Sequence, residues 1–90
     1  MEDKHIEEIM RYLGYLEGRW KDEWQYEDFN DYCEGMSDAV EKHGLAFISL
    51  TKKPFQCKAR SNDGTLHFFK AEKGLIKWYT AKEVINTGGV

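Results

Sequence analysis

The cysteines and histidines are the first residues to consider, because they are the usual ligands of transition metals. Cys33, His43, Cys57 and His67 follow the spacing C-x9-H-x13-C-x9-H. This run contains no short C-x2-C or H-x3-H unit that could nucleate a zinc site. Ten residues of helix would also separate Cys33 from His43 by about 15 Å. The spacing therefore predicts neither a metal centre nor a cofactor.

Nucleophilic catalysis requires a serine or cysteine held beside a base. The three serines, Ser37, Ser49 and Ser61, are expected in a helix, a strand and a turn, without a nucleophile-elbow pattern. Cys57 is expected at a buried position, where the thiolate is disfavoured. No glycine-rich phosphate loop precedes a helix, and most carboxylates are expected on solvated helix faces. The sequence therefore predicts a protein that is not an enzyme and acts through its surfaces.

Acidic residues and aromatic rings alternate in the first half of the chain. Residues 1–41 contain thirteen Asp or Glu and four Lys or Arg, a net charge of −9. Aromatic anchors in an acidic surround suit a basic protein partner, since rings supply contact energy and charge supplies steering. The sequence therefore favours a non-enzymatic interaction module, an inhibitor or adaptor of a basic protein such as one that handles nucleic acid. The predicted partner-binding residues are Trp24, Tyr26, Glu27, Asp28, Asp31, Glu34 and Asp38.

In size, acidity and lack of motifs the chain is similar in general character to small inhibitors carried by phages, including anti-restriction and anti-CRISPR proteins. That similarity implies mimicry of nucleic-acid charge, in which carboxylates take the place of phosphates. The competing interpretation is an ordinary solvated face whose aromatic rings line the core.

Basic residues dominate the second half. Residues 42–90 contain three acids and nine bases, a net charge of +6. Cations that follow phosphates and rings that stack on bases are what single-stranded nucleic acid requires. Single-stranded nucleic-acid binding is therefore the alternative function, although these bases could equally solubilise an exposed face. The residues predicted for it are Lys58, Arg60, His67, Phe69, Lys77 and Tyr79.

Apolar spacing predicts two helices before the sheet. In residues 4–20, apolar side chains recur every three or four positions, with Asp3 as a plausible N-cap. A second helix is predicted over residues 25–43 and should stop at Gly44. Gly14 and Gly18 weaken the first helix by about 1 kcal/mol each and leave a flat strip on it. Lys21–Glu23 is predicted to be the turn between the two helices.

Residues 55–71 predict a β-hairpin around Asp63-Gly64, because Gly64 adopts a positive φ freely and Asp63 tolerates one. A loop of two or four residues would put Phe55, Cys57 and Ala59 on one face with Leu66 and Phe68. His67 and Phe69 would then share the opposite face with the basic residues. A loop of three residues would shift the second strand by one position and change these faces.

Strands are also predicted over residues 45–50, with Ala46, Ile48 and Leu50 on one side, and over 75–79. Thr80 to Glu83 has the spacing of a capping box and predicts a short last helix through Asn86. The expected fold is therefore α+β, with two N-terminal helices on one face of a four-stranded antiparallel meander and a short C-terminal helix. Residues 1–90 form one domain, with an acidic helical layer over 1–43 and a basic sheet and last helix over 44–87.

Composition and the N-terminal residues predict the class of the protein and its location. Hydrophobic residues make up 41% of the 90-residue chain, and there is one proline, which favours a folded domain. The N-terminus is acidic without an apolar region, and the longest apolar run is far too short for a membrane span. Two cysteines are too few for a disulfide framework, so the prediction is a cytoplasmic protein with reduced thiols, although a Cys33–Cys57 bond is an alternative. Homo-oligomers could form if the acidic layer of one copy met the basic sheet of another.

Overall fold

The computed structural model describes residues 3–23 and 28–82. Two helices are followed by four strands, and the strands form one antiparallel sheet in the order β1-β2-β3-β4. Both helices contact the same side of the sheet, so the predicted α+β meander is confirmed. No helix in the described part of the chain is long and apolar enough to cross a membrane. The elements are α1 (Asp3–Glu23), α2 (Phe29–Lys42), β1 (Ala46–Lys52), β2 (Phe55–Arg60), β3 (Thr65–Glu72) and β4 (Leu75–Lys82).

The ends of α2 follow from local hydrogen bonding. Asp28, predicted inside the helix, is its N-cap: the side chain accepts the backbone N–H of Asn30 at 3.0 Å. At the other end Leu45 donates to the carbonyl of Val40, and Gly44, with φ +85°, donates to Glu41. This pair of bonds is a Schellman motif, which requires the left-handed residue that glycine supplies. The predicted stop at Gly44 is confirmed.

The core lies between the helices and the inner face of the sheet. The first helix buries Ile6, Ile9, Leu13 and Leu16, the apolar stripe expected from its spacing. At one end of this core the rings of Trp20, Phe29, Tyr32 and Phe55 form an aromatic cluster with centroid separations of 5.0–6.1 Å. Edge-to-face and offset arrangements of this kind add about 0.5–1.5 kcal/mol per pair beyond burial of area.

Two glycines permit close packing of α1. Gly14 faces Ile76 of β4, whose Cδ1 would lie 3.3 Å from an added Cβ, while Gly18 faces open space. Of the predicted flat strip, only Gly14 therefore receives a neighbour. Gly35 of α2 faces the hydroxyl of Tyr12, and an added Cβ would collide with that oxygen. The helices thus meet where a glycine accommodates the Tyr12 hydroxyl.

Gly35→Ala should be less favourable in the wild-type background than once Tyr12 is phenylalanine. Alanine gains about 1 kcal/mol of helix propensity over glycine, but in the wild type the Tyr12 side chain must move to relieve the collision with its hydroxyl. Thermal unfolding of Gly35→Ala, Tyr12→Phe and the double variant checks this, with the double variant expected above Tyr12→Phe in Tm. If Gly35→Ala had the same effect in both backgrounds, the hydroxyl would not be the cause.

The β2–β3 hairpin differs from the sequence prediction in its facing. Arg60 pairs with Leu66, so five residues separate the paired positions, an odd number. The loop is held by Ser61, whose N–H donates to Thr65 and whose carbonyl accepts from Gly64. The odd count turns β3 over relative to the prediction that grouped Leu66 and Phe68 with Phe55, Cys57 and Ala59. That prediction is wrong: the inner face of β3 carries His67, Phe69 and Ala71.

Two further predictions are corrected at the edges of the sheet. The register of β1 shifts at Ile48, between Phe47 and Ser49, so Ala46 and Leu50 do not share a face as predicted. At the other edge, residues 80–82 belong to β4 and do not begin a helix, because β3 extends to Thr65 and offers Lys82 a partner. The rest of the predicted last helix lies outside the described residues.

Candidate functional site

The outer face of the sheet, which points away from both helices, is the candidate site. Its side chains come from alternate positions of all four strands, and no described element packs on it. Cross-strand pairing forms a continuous row of Ser49, Lys58, Phe68 and Tyr79. On one side of this row lie Gln56, Lys70 and Lys77, and on the other Arg60, Leu66 and Ala81.

The middle of the row is a column of one cation and two rings. The rings of Phe68 and Tyr79 stack with an interplanar angle of 12° and a centroid separation of 4.9 Å. The ammonium of Lys58 lies 5.7 Å from the centroid of Phe68, on this face of the sheet. Tyr79 is 47% exposed and ends the column towards the edge of the sheet. A planar ring can therefore be added to the column at Tyr79.

Positive charge surrounds the column. Arg60, Lys70 and Lys77 lie in the two neighbouring rows, about 7 Å from the column along the strands. Glu72 is the one acid in the strand positions of this face, and its carboxylate lies 3.9 Å from the ammonium of Lys70. The outer face therefore combines an open aromatic surface with a net positive potential.

The structure brings together four of the six residues predicted for nucleic-acid binding. Lys58, Arg60, Lys77 and Tyr79 share the outer face. His67 and Phe69 do not: they are 5% and 0% exposed and lie under the helices. Because β3 is turned over, Phe68 takes the position expected of Phe69. An odd number of loop residues puts Phe68 on the outer face and an even number puts Phe69 there. The length of the hairpin loop is therefore the signal that could have identified Phe68.

His67 has a structural role on the inner face. Its Nδ1 accepts the indole N–H of Trp78 at 3.2 Å. Burial lowers the pKa of this imidazole, and the nearby Asp63 carboxylate only partly opposes that effect. Protonation would convert Nδ1 into a donor that faces the indole N–H. The fold therefore favours neutral His67.

His67→Asn should remove one component of acid destabilisation. A histidine whose pKa is lowered by folding contributes stability above its unfolded pKa, near 6.5, and that contribution is lost as pH falls towards the folded pKa. Asparagine does not titrate, and its Oδ1 can accept from Trp78 in place of Nδ1. We expect the wild type to lose stability relative to the variant below about pH 6.5. Denaturant unfolding across pH 4.5–8 measures the difference, and parallel curves would contradict the assignment.

The acidic residues that were predicted to bind a partner do not all have the same role in the structure. Asp31, Glu34 and Asp38 are exposed on α2, and with Glu41 they follow a spacing of three, four and three residues along one side of the helix. Among the described residues no basic side chain lies within ion-pair distance of Asp31, Glu34 or Asp38. Asp28 is exposed but serves as the N-cap.

The aromatic part of the predicted acidic surface is only partly described. Trp24, Tyr26 and Glu27 lie outside the described residues. Tyr32, expected among the aromatic rings beside the acids, is 2% exposed, and Trp20 packs against it in the core. Tyr32 is therefore part of the core and Trp20 packs against that core, whereas Tyr15 of α1 is 56% exposed and stacks on Tyr12.

Both cysteines are free. Cys57 is fully buried, and burial raises the pKa of its thiol to about 12. Burial also raises the pKa of the half-buried Cys33 thiol. Neither thiol is therefore activated as a nucleophile.

No protein-family model, curated protein or solved structure matches the chain.

Proposed function

We propose that the outer face of the sheet binds single-stranded nucleic acid. The observation that supports this most directly is the Lys58–Phe68–Tyr79 column with basic side chains in the rows on either side. An unpaired base stacks on Tyr79 and extends the column, and such stacking contributes about 1–3 kcal/mol per base. Lys58, Lys70 and Lys77 bind the phosphates on either side of that base. Binding of this kind contacts the faces of the bases and the phosphates of the backbone, so it tolerates many nucleotide sequences.

Binding of labelled single-stranded oligonucleotides at two salt concentrations tests the proposal. We expect association at low salt that weakens as salt rises, because phosphate contacts release counterions. A duplex of the same sequence should bind less tightly, since its bases are already stacked and paired. Absence of single-strand binding at low salt, or equal affinity for the duplex, would overturn the proposal.

A second candidate function has its own supporting observation, the exposed row of Asp31, Glu34, Asp38 and Glu41 on α2. We propose that this row binds a basic protein, as the sequence predicted for the acidic layer. A row of carboxylates about 15 Å long steers a cationic partner and sets its orientation. Glu34→Lys with Asp38→Lys should abolish capture of such a partner while leaving the N-cap at Asp28 intact. Capture that survives this double substitution would exclude the row.

A further inference from the structure

A second basic surface lies at one end of the molecule, apart from the aromatic column. The end of α1, the β1–β2 turn and the β3–β4 turn enclose a groove of about 1050 Å³, which we call the end groove. Four apolar residues among the described ones line it: Trp20, Pro54, Phe55 and Ala71. The exposed surface of the groove is mostly apolar although charged side chains also line it, and a cleft of this size is typical of small-molecule sites.

Lysines surround this apolar lining. Among the residues that the structure describes, the groove is lined by Lys21, Lys52, Lys53, Lys70 and Lys73 and by the acids Glu17 and Glu72, a net charge of +3. Lys52 lies over the Trp20 ring at 5.3 Å and the Phe29 ring at 5.0 Å. Lys53 and Lys73 are not within ion-pair distance of any described acid. These two ammonium groups are therefore available to an anion in the groove.

Lys73 has an unusual backbone conformation. It has φ +52° and is followed by Gly74 at φ +81°, in a two-residue turn between the paired Glu72 and Leu75. Asparagine, aspartate or glycine normally occupies the first of these positions, because other side chains are strained there. The chain thus holds a lysine at the groove where a small residue would be more stable.

Glu17 adds a hydrogen-bond acceptor to the groove. Its side chain is 9% exposed, and Oε2 lies 4.0 Å from the Lys21 ammonium. Oε1 accepts the Gly74 N–H at 3.4 Å, which is a long bond. Both contacts are loose, so the carboxylate retains capacity to accept shorter bonds from a ligand N–H.

We propose that the end groove binds a guanine nucleoside phosphate, either as a free nucleotide or at the phosphorylated end of a strand. The base lies on the apolar lining, and the two adjacent N–H donors of guanine point at the Glu17 carboxylate. The phosphate lies between Lys53 and Lys73. Adenine presents a single amino group on its corresponding edge, so it fits the carboxylate less well. The site does not include Phe68 or Tyr79 and goes beyond the function proposed for the outer face.

Calorimetric titration of the full chain with GMP, AMP and guanosine tests the groove. GMP should bind at least tenfold more tightly than either AMP or guanosine, because only GMP has both the two donors and the phosphate. Equal binding of AMP, or no binding of GMP, would overturn the proposal. A Tyr79→Ala variant should bind GMP like the wild type, which separates this site from the outer face.

Two substitutions make the test specific. Lys73→Asn should lower GMP affinity at least tenfold while raising Tm by a few degrees, since asparagine suits a positive φ better. Lower affinity in a more stable protein cannot be the result of unfolding. Glu17→Gln should remove the preference for GMP over AMP. Unchanged GMP affinity in Lys73→Asn, or an unchanged preference in Glu17→Gln, would exclude these roles.

A matched lysine variant controls for charge, and a phosphorylated strand identifies the source of the nucleotide. Lys4→Asn changes an exposed lysine near the other end of α1, about 25 Å from Lys21, and should leave GMP binding unchanged. Loss of GMP binding in this control would show that general charge, and not the groove, holds the nucleotide, and would overturn the proposal. A 5′-phosphorylated oligonucleotide beginning with guanine that displaces GMP identifies a strand end as the source, and one that does not identifies the free nucleotide.

Discussion

Phe69→Ala should destabilise the protein by about 3–5 kcal/mol, whereas Phe68→Ala should cost only about 1 kcal/mol. The two phenylalanines are adjacent in sequence, but Phe69 is 0% exposed while Phe68 lies on the open outer face. Removing Phe69 leaves a cavity between its two cross-strand neighbours, Cys57 and Trp78. A domain of this size loses about 4–8 °C of Tm per kcal/mol, so Phe69→Ala should unfold at least about 12 °C earlier.

The two variants control for each other, because they delete the same ring from neighbouring positions of one strand. Chemical denaturation of both checks the sign and the size of the difference. If Phe68→Ala were the more damaging substitution, β3 would be turned the other way, as the alternation in the sequence first suggested. Equal losses would mean that the two faces of β3 are packed to the same extent, which would contradict the burial of Phe69 alone.

The helices could be predicted because each is marked by more than one independent signal. Apolar spacing located α1, and Gly44 marked the end of α2 through a motif that only a positive φ completes. The predicted last helix had a single signal, the capping-box spacing at Thr80. The predicted fourth strand ended at Tyr79, which pairs with Phe68. Three further residues of β3, residues 65–67, pair with residues 80–82, so β4 extends to Lys82. Tertiary pairing outweighs a local cap when a partner strand is available.

The facing of β3 could not be derived from alternation. Both of its faces carry a phenylalanine, so burial of either set would satisfy a period of two. Side-chain size does not decide the facing either, because Phe69 lies opposite small Cys57 of β2 but opposite large Trp78 of β4. The five residues between the paired Arg60 and Leu66 determine it. The same choice brings Phe68 beside Tyr79 and so determines which ring belongs to the candidate site.

Tyr79→Ala should weaken binding of single-stranded nucleic acid by about 5- to 150-fold, the range that corresponds to 1–3 kcal/mol of stacking. Tyr79 ends the column on its exposed side, so a bound base loses its stacking surface when the ring is removed. The substitution should cost little stability, because the side chain is 47% exposed. Tyr79→Phe keeps the ring and should bind like the wild type, which excludes a role for the hydroxyl.

Lys77→Gln should act on the same binding in a different way. It removes one phosphate contact, so the slope of log affinity against log salt should become shallower by about 0.7, whereas Tyr79→Ala should leave the slope unchanged. Lys4→Gln, which alters the net charge of the protein equally but lies on α1, should leave the slope unchanged as well. Stacking and charge are therefore separable by one salt series on three variants. If Lys77→Gln and Lys4→Gln changed the slope equally, the strand would respond to net charge alone, and the column on the outer face would not be its binding site.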